Sequence, residues 1–339
     1  PELLVFDGSP ASPQLFRTKI SLWDVVTGDE STDWDGPIQL QPTKAIVDAT
    51  NTYLLTTTDI NPAAPPPENV APQIALWDMS EDEGILLLDI QPGYALHDAQ
   101  FVPDADGLQV IGGGPNGALL WDMEAGEIIQ QYDAEVAVET LALSADKRTL
   151  FGVTSNGTLL VWDFETTDLQ TTYDLGSTAQ PIALLPGRPW LVTGQGNSDV
   201  VIWDYERQAV VTELTAHFAR LSAIEAIPTN DDTLSFITSD YGGRTLIWRG
   251  SDTFEITEEF VAEDRLVDIL VDVDHRLLAL VPTAGDVRVR RIDTIAGDVR
   301  AFATANREID PVTLEDCFRY NVSDICLAVG DASEVIALR

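Results

Sequence analysis

A Trp-Asp pair closing a run of apolar residues returns along this chain, as GALLWDMEAG at 117–126, GTLLVWDFETT at 157–167 and SDVVIWDYERQ at 198–208. Aligned on that phrase, Trp77, Trp121, Trp162, Trp203 and Trp248 are separated by steps of 44, 41, 41 and 45 residues. Trp23 in SLWDVVTG precedes Trp77 by 54 residues, and Arg290 in GDVRVRRID follows Trp248 by 42, where the pattern holds without the indole. Such a period constrains the fold more than any bulk property. Each copy is too small to bury its own apolar face and must stack on its neighbours. Seven copies are expected.

Within a copy, apolar and polar residues alternate over short runs broken by turn residues, the pattern of half-buried strands. In the fourth copy ETLALSADKR (139–148) reads as strand and turn, TLFGVTS (149–155) as a second strand, TLLVWD (158–163) as a third and DLQTTYDLG (168–176) as a fourth. Asn156-Gly157 between the second and third predicts a two-residue hairpin with both central φ angles positive, and Asn116-Gly117 predicts the same turn one copy earlier. Four short antiparallel strands per unit, repeated seven times, exceed what one open sheet accommodates, whereas small sheets packed radially leave only short edges. The fold class is therefore all-β: a seven-bladed β-propeller of four-stranded antiparallel blades, forming one domain over 1–339.

LWD at 22–24, 76–78 and 120–122, VWD at 161–163 and IWD at 202–204 resemble the defining dipeptide of the WD-repeat family, and the likeness spans essentially the whole chain. It implies that Trp23, Trp77, Trp121, Trp162, Trp203 and Trp248 are structural, each filling the wedge between adjacent blades and contributing about 3 kcal/mol by burial. It also implies a His, a Ser or Thr and an Asp hydrogen-bonded to the Trp. One unit keeps most of that set, with His217, Ser239, Asp240 and Trp248, and the other blades are expected to rely on packing. The order T-x-E-D-C-x-R-Y at 313–320 resembles a cysteine-containing tail found at the end of many bacterial WD-repeat and helical-repeat proteins, although here a further strand pair follows it.

Closure is expected from a composite blade, with ELLVFDG (2–8) and LFRTKISLWD (15–24) as second and third strands and ICLAVGDASEVIALR (325–339) as first and second. Loop geometry then places the turns between second and third strands, and the links between blades, at one end. GSPASPQ (8–14) and the proline-rich insertion at 59–73 are such turns, and the insertion at about 304–324 is such a link. Recognition on a rigid scaffold is concentrated in loops. Pro65, Pro66, Pro67 and Glu68, with Phe318, Arg319 and Tyr320, are accordingly the candidate partner-binding residues, the proline-rich loop being alternatively a passive extension. Thr313 and Asp316 form a capping-box arrangement that predicts a short helix.

Charge narrows the partners. With 56 acidic and 19 basic residues the net charge is -37, which disfavours nucleic acid and anionic membrane surfaces and favours a basic protein partner; solubility or salt adaptation is the other reading. Arg288, Arg290, Arg291 and Arg300 form a local basic cluster that either neutralises neighbouring carboxylates or receives an acidic ligand. No run of apolar residues is long enough for a membrane span. A chain opening on Pro1 is compatible with a removed leader or with a fragment.

Cys317 and Cys326 are the two cysteines, close enough in sequence for a local disulfide, with two buried free thiols as the alternative. A disulfide implies an oxidising compartment, hence an extracellular or cell-surface location; the cytoplasm is the alternative. No nucleophile elbow, phosphate loop or zinc motif occurs, and glycine-rich IGGGPNG (111–117) falls in a hairpin without a following helix. PDADG (103–107) and TNDDT (229–233) hold enough oxygen ligands for calcium, though both fall where ordinary turns belong, so no cofactor is expected. Asn156 and Asn321 begin glycan-acceptor triplets. A non-enzymatic protein-interaction scaffold fits best. The alternatives are a structural subunit of a cell-surface assembly and a propeller hydrolase or lyase with carboxylates in a central channel. Thiol titration of the unfolded chain checks the first alternative: no reactive thiol should appear before reductant is added, and two reactive thiols would remove its main support.

Overall fold

The structure, a computed structural model, describes residues 2–291 apart from interruptions, the longest being 59–73, and gives backbone alone for 2–45. The chain divides into two compact units, Pro1–Val271 with Ala279–Val289, and Asp272–Leu278 with Arg290–Arg339; nearly all described residues belong to the first.

Every described element is a strand, and seven sheets occur among the described residues, five four-stranded and two three-stranded, each a simple antiparallel meander. The four-stranded sheets cover 42–90, 98–133, 138–174, 182–214 and 221–261. The third of them consists of Val138–Leu143, Thr149–Thr154, Thr158–Asp163 and Leu169–Asp174, as the spacing predicts. Glu2–Ser12, Leu15–Asp24 and Glu30–Asp35 form one three-stranded sheet, and Leu266–Asp272, Leu277–Pro282 and Arg288–Arg291 the other.

The first strands of successive sheets touch from Pro42–Val47 through Asp98–Phe101, Val138–Leu143 and Ile182–Leu185 to Leu221–Ile227. Polar groups tie this series together: Asp98 Oδ2 accepts from the Leu141 amide at 2.8 Å, and Thr140 Oγ1 donates to the Gln180 carbonyl at 3.1 Å. Sheets lie on both sides of the second and third strands, so these are buried on both faces and not half-buried, whereas fourth strands such as Leu169–Asp174 are largely exposed. The core is consequently a series of slabs between neighbouring sheets. Each slab contains the tryptophan of the later sheet: Trp121, Trp162, Trp203 and Trp248 in turn.

The indoles occupy equivalent places. Trp77, Trp121, Trp162, Trp203 and Trp248 are each at most 3% exposed. In the five four-stranded sheets, and in the three-stranded sheet of Trp23, the pairing between the strand that carries the Trp and the strand that follows it slips by one residue immediately before the Trp. The extra residue sits on the fourth strand, for example Gln170 between the partners of Val161 and Trp162. The side chain of Trp23 lies outside the described residues.

The second strand completes each seat, two residues beyond the Trp's direct partner. That position is Thr56, Gly112, Gly152, Thr193 or Thr238. Thr56 Oγ1 accepts the Trp77 indole N–H at 3.1 Å and Thr238 Oγ1 that of Trp248 at 2.9 Å, so a sheet beyond the one holding His217 also uses a hydrogen bond. At Thr193 the hydroxyl is near the Pro181 carbonyl instead, at 3.1 Å, and the buried Trp203 N–H has no partner among the described residues. The two glycines make room for the ring. Aromatic contacts continue from sheet to sheet, Tyr132 lying edge-on to Trp162 at 6.2 Å and stacked on Phe164 at 5.8 Å.

The Asp after the Trp caps the turn into the fourth strand. Asp163 Oδ1 accepts the amides of Glu165 and Thr166 at 3.0 and 2.8 Å, and these backbone donors, Thr166 first, hold its carboxyl below the usual carboxylate range. Asp122 and Asp204 cap equivalent turns. Four residues after each Asp the chain enters the left-handed region, at Gly126, Thr167 and Gln208.

Two hairpin expectations are corrected. Neither Asn116 nor Asn156 has positive φ. Ser155–Gly157 is a three-residue loop in which the Gly157 amide bonds the Thr154 carbonyl at 2.9 Å, so only Gly157, at φ 82°, needs the left-handed region. In the earlier copy Gly114 pairs with Gly117, which makes Pro115-Asn116 the loop. GSPASPQ is likewise no long turn, because Gly8, Ser9, Pro10 and Ser12 pair with Thr18, Arg17, Phe16 and Leu15.

A Cβ on Gly152 would lie 2.7 Å from Cζ3 of Trp162 and 3.0 Å from Val138 Cγ1. Gly152→Ala should therefore destabilise the protein by on the order of 1–3 kcal/mol in urea unfolding, although alanine is no worse than glycine in an open strand. An unchanged midpoint would show that the ring is not confined there.

Candidate interaction surface

The sheet at 221–261 carries the most developed seat. Trp248 donates to Thr238 Oγ1, which lies 2.7 Å from His217 Nε2, and His217 Nδ1 lies 3.1 Å from Asp240 Oδ2. Burial favours the neutral imidazole; with Nδ1–H donating to the Asp240 carboxylate, Nε2 is left to accept from the Thr238 hydroxyl, which itself accepts from the indole. Thr238, not Ser239, is the hydroxyl member. Alternation along the strand puts Thr238 diagonal to Trp248, whereas Ser239 faces the other way and accepts from Thr245 Oγ1 at 3.0 Å.

This network locks two loops together. Asp240 Oδ1 accepts the amides of Gly242 and Arg244 at 2.8 and 3.1 Å, shaping the turn between second and third strands. Tyr241 N–H bonds the Arg220 carbonyl at 2.9 Å, which fixes that turn to the link preceding the sheet, and Ala262 N–H bonds the Gly243 carbonyl at 2.8 Å, which fixes it to the link that follows.

The side chains these loops project form an aromatic and cationic cluster. Phe218 is 88% exposed, yet the Arg244 guanidinium lies 4.6 Å from its ring centroid. Arg244 is itself held by Glu259 at 2.7 Å and by the Ala216 carbonyl. Glu259 raises the Arg244 pKa, and Arg244 in turn keeps the Glu259 carboxyl below its ordinary range. Tyr241, 41% exposed, has the guanidiniums of Arg220 and Arg265 at 4.3 and 4.6 Å from its centroid, and Arg220 also donates to its hydroxyl. Tyrosine, arginine and phenylalanine held in fixed geometry are the usual makings of a protein-binding hot spot.

The cluster is on the end of the sheets that carries the turns between second and third strands and the inter-sheet links, the end expected to hold the partner surface. Pro65, Pro66, Pro67, Glu68, Phe318, Arg319 and Tyr320 lie outside the described residues, as do Cys317, Cys326 and the side chains of Arg288, Arg290, Arg291 and Arg300. Asp104, Asp106, Asn230 and Asp231 of the two oxygen-rich turns are also outside them. Among the described residues no three His, Cys, Asp or Glu side chains gather as a metal site. A signal for the observed cluster was present in the sequence: Tyr241 is the only aromatic among the described second-to-third-strand turns, which otherwise read PN, SNG and QGNSD. At the opposite end a cleft of about 620 Å³ opens between the turns holding Arg188 and Asp232, with Arg188 laid over Trp190 at 5.4 Å.

No protein-family model matches this chain, and no curated protein matches it. Among solved structures, a chain from a crystal structure of the mitotic checkpoint complex is similar at a TM-score of 0.68 and 13% sequence identity, over 82% of this chain and 82% of that one. It is one of 1713 matching chains. At that identity the likeness speaks to fold alone, a β-propeller, and a fold so widely used does not by itself name a function. Among the described residues no helix is long and apolar enough to cross a membrane.

Burial pushes the His217 imidazole below its ordinary value of 6.5, with Asp240 opposing in part. The unfolded chain therefore binds the proton more readily, and the stability contributed by neutral His217 is present above pH 6.5 and lost as pH falls toward the folded pKa. Urea midpoints should fall between about pH 7.5 and pH 5.5, with a shallower slope in His217→Gln; equal slopes would assign the dependence to other groups.

Proposed function

We propose that this chain is a non-enzymatic protein-protein interaction scaffold, a propeller of seven blades whose partner surface lies on the end carrying the second-to-third-strand turns and the inter-sheet links. The observation that carries this is Phe218, a large apolar ring exposed to 88% and still held in place by Arg244. Exposure of that degree costs solvation, and a fixed orientation costs side-chain entropy; a ring in a binding surface recovers both when a partner covers it. The likeness to a chain from the mitotic checkpoint complex agrees with a role in assembly. Its net charge of -37 favours the approach of a basic or neutral partner over a polyanion.

Immobilised full-length protein should retain at least one protein from an extract of its native cells in near-stoichiometric amount. A variant carrying Phe218→Ser and Tyr241→Ser should lose it while keeping the wild-type unfolding midpoint. Identical retention by both forms would place recognition elsewhere, and no retention by either would count against a scaffold.

A further inference from the structure

Resting on the scaffold reading, we propose that Phe218, Arg220 and Tyr241 form the docking surface for a short acidic segment of a partner protein. Its Asp or Glu carboxylate meets the Arg220 guanidinium, and an apolar side chain beside it lies against Phe218.

Charge placement is the main support. The chain has 56 acidic residues for 19 basic ones, so a guanidinium has carboxylates to pair with almost anywhere. Arg244 does pair, with Glu259 at 2.7 Å. Arg220 has no carboxylate partner among the described residues, and lies face-on to Tyr241. Stacking uses the plane of the guanidinium and leaves most of its N–H edge for an incoming acceptor; the fork geometry of those donors matches a carboxylate in two-point contact.

The occupant's size follows from range. In physiological salt the screening length is about 8 Å, so a carboxylate held against Arg220 feels that guanidinium far more than the carboxylates elsewhere on the surface. A nucleic acid would extend its phosphates into that negative surround and be repelled. A second copy would bring another net charge of -37 against the first. A segment with two or three carboxylates on a neutral or basic body fits inside the favourable region and is not opposed outside it. The ordering is done in advance, since the His217 network, the Arg220–Tyr241 backbone bond and the Arg244–Glu259 pair already fix the loops.

A phage-displayed random-peptide library panned on immobilised full-length protein at physiological salt tests this. The expected result is enrichment of peptides with Asp or Glu next to an apolar residue. The best of them, synthesised with a fluorophore, should bind at least tenfold more weakly to Arg220→Gln and to Phe218→Ser, and more weakly as salt rises. Phe218 is exposed and Arg220 half-buried, and unchanged thermal unfolding of each variant will separate lost binding from lost folding. Enriched peptides that are neutral or basic, or that bind both variants as tightly as wild type, overturn the acidic docking surface and leave a scaffold that recognises its partner elsewhere. Competition by single-stranded DNA would overturn it in favour of a nucleic-acid site. Failure of any peptide to enrich would overturn it together with the scaffold reading.

Discussion

The seating of one indole in each four-stranded sheet is the constraint on which the rest depends. A tryptophan at the end of a third strand is too wide for the space its own sheet provides. Room comes from three directions: the one-residue slip that displaces the fourth strand, the diagonal Thr or Gly on the second strand, and the apolar faces of the preceding sheet. Because each slab of core includes the tryptophan of the later sheet, every such residue belongs to two sheets at once. Removing one loosens an interface as well as a strand, which explains how sheets with no helix among the described residues and no single central core hold together.

The same device bears on the candidate surface. In the sheet at 221–261 the indole N–H starts a chain through Thr238 and His217 to Asp240, and Asp240 shapes the turn that presents Tyr241. A structural residue in the core thus sets the position of an exposed ring without touching it. Elsewhere the chain is cut short. Trp77 stops at Thr56, and Trp121 and Trp162 pack toward glycine. The sheet with the complete network is also the one whose loops carry the aromatic and cationic cluster.

Much of this was legible from the Trp-Asp phrase alone. The period fixed the number and order of strands per unit, since a 40-residue repeat ending each third strand on an indole leaves little freedom. What failed was local. Asn-Gly announced a tight hairpin, but one extra loop residue moved the left-handed position to Gly157 and relieved Asn156 of it. The sequence reading names Ser239, whereas strand alternation selects Thr238, the neighbour on the indole's side. The surface escaped because Phe218 and Tyr241 belong to loops distant in sequence, joined only when the network closes between them.

The slip opposite each tryptophan has an effect on what the protein can avoid becoming. Fourth strands are the last in their sheets and carry exposed Leu87, Ile128 and Ile129. Apolar border strands of that kind invite lateral growth into fibrils. Here the ladder is broken in mid-strand, so an added chain could match only a few residues before losing register. Together with the mutual repulsion of molecules whose net charge is -37, that break works against edge-to-edge growth.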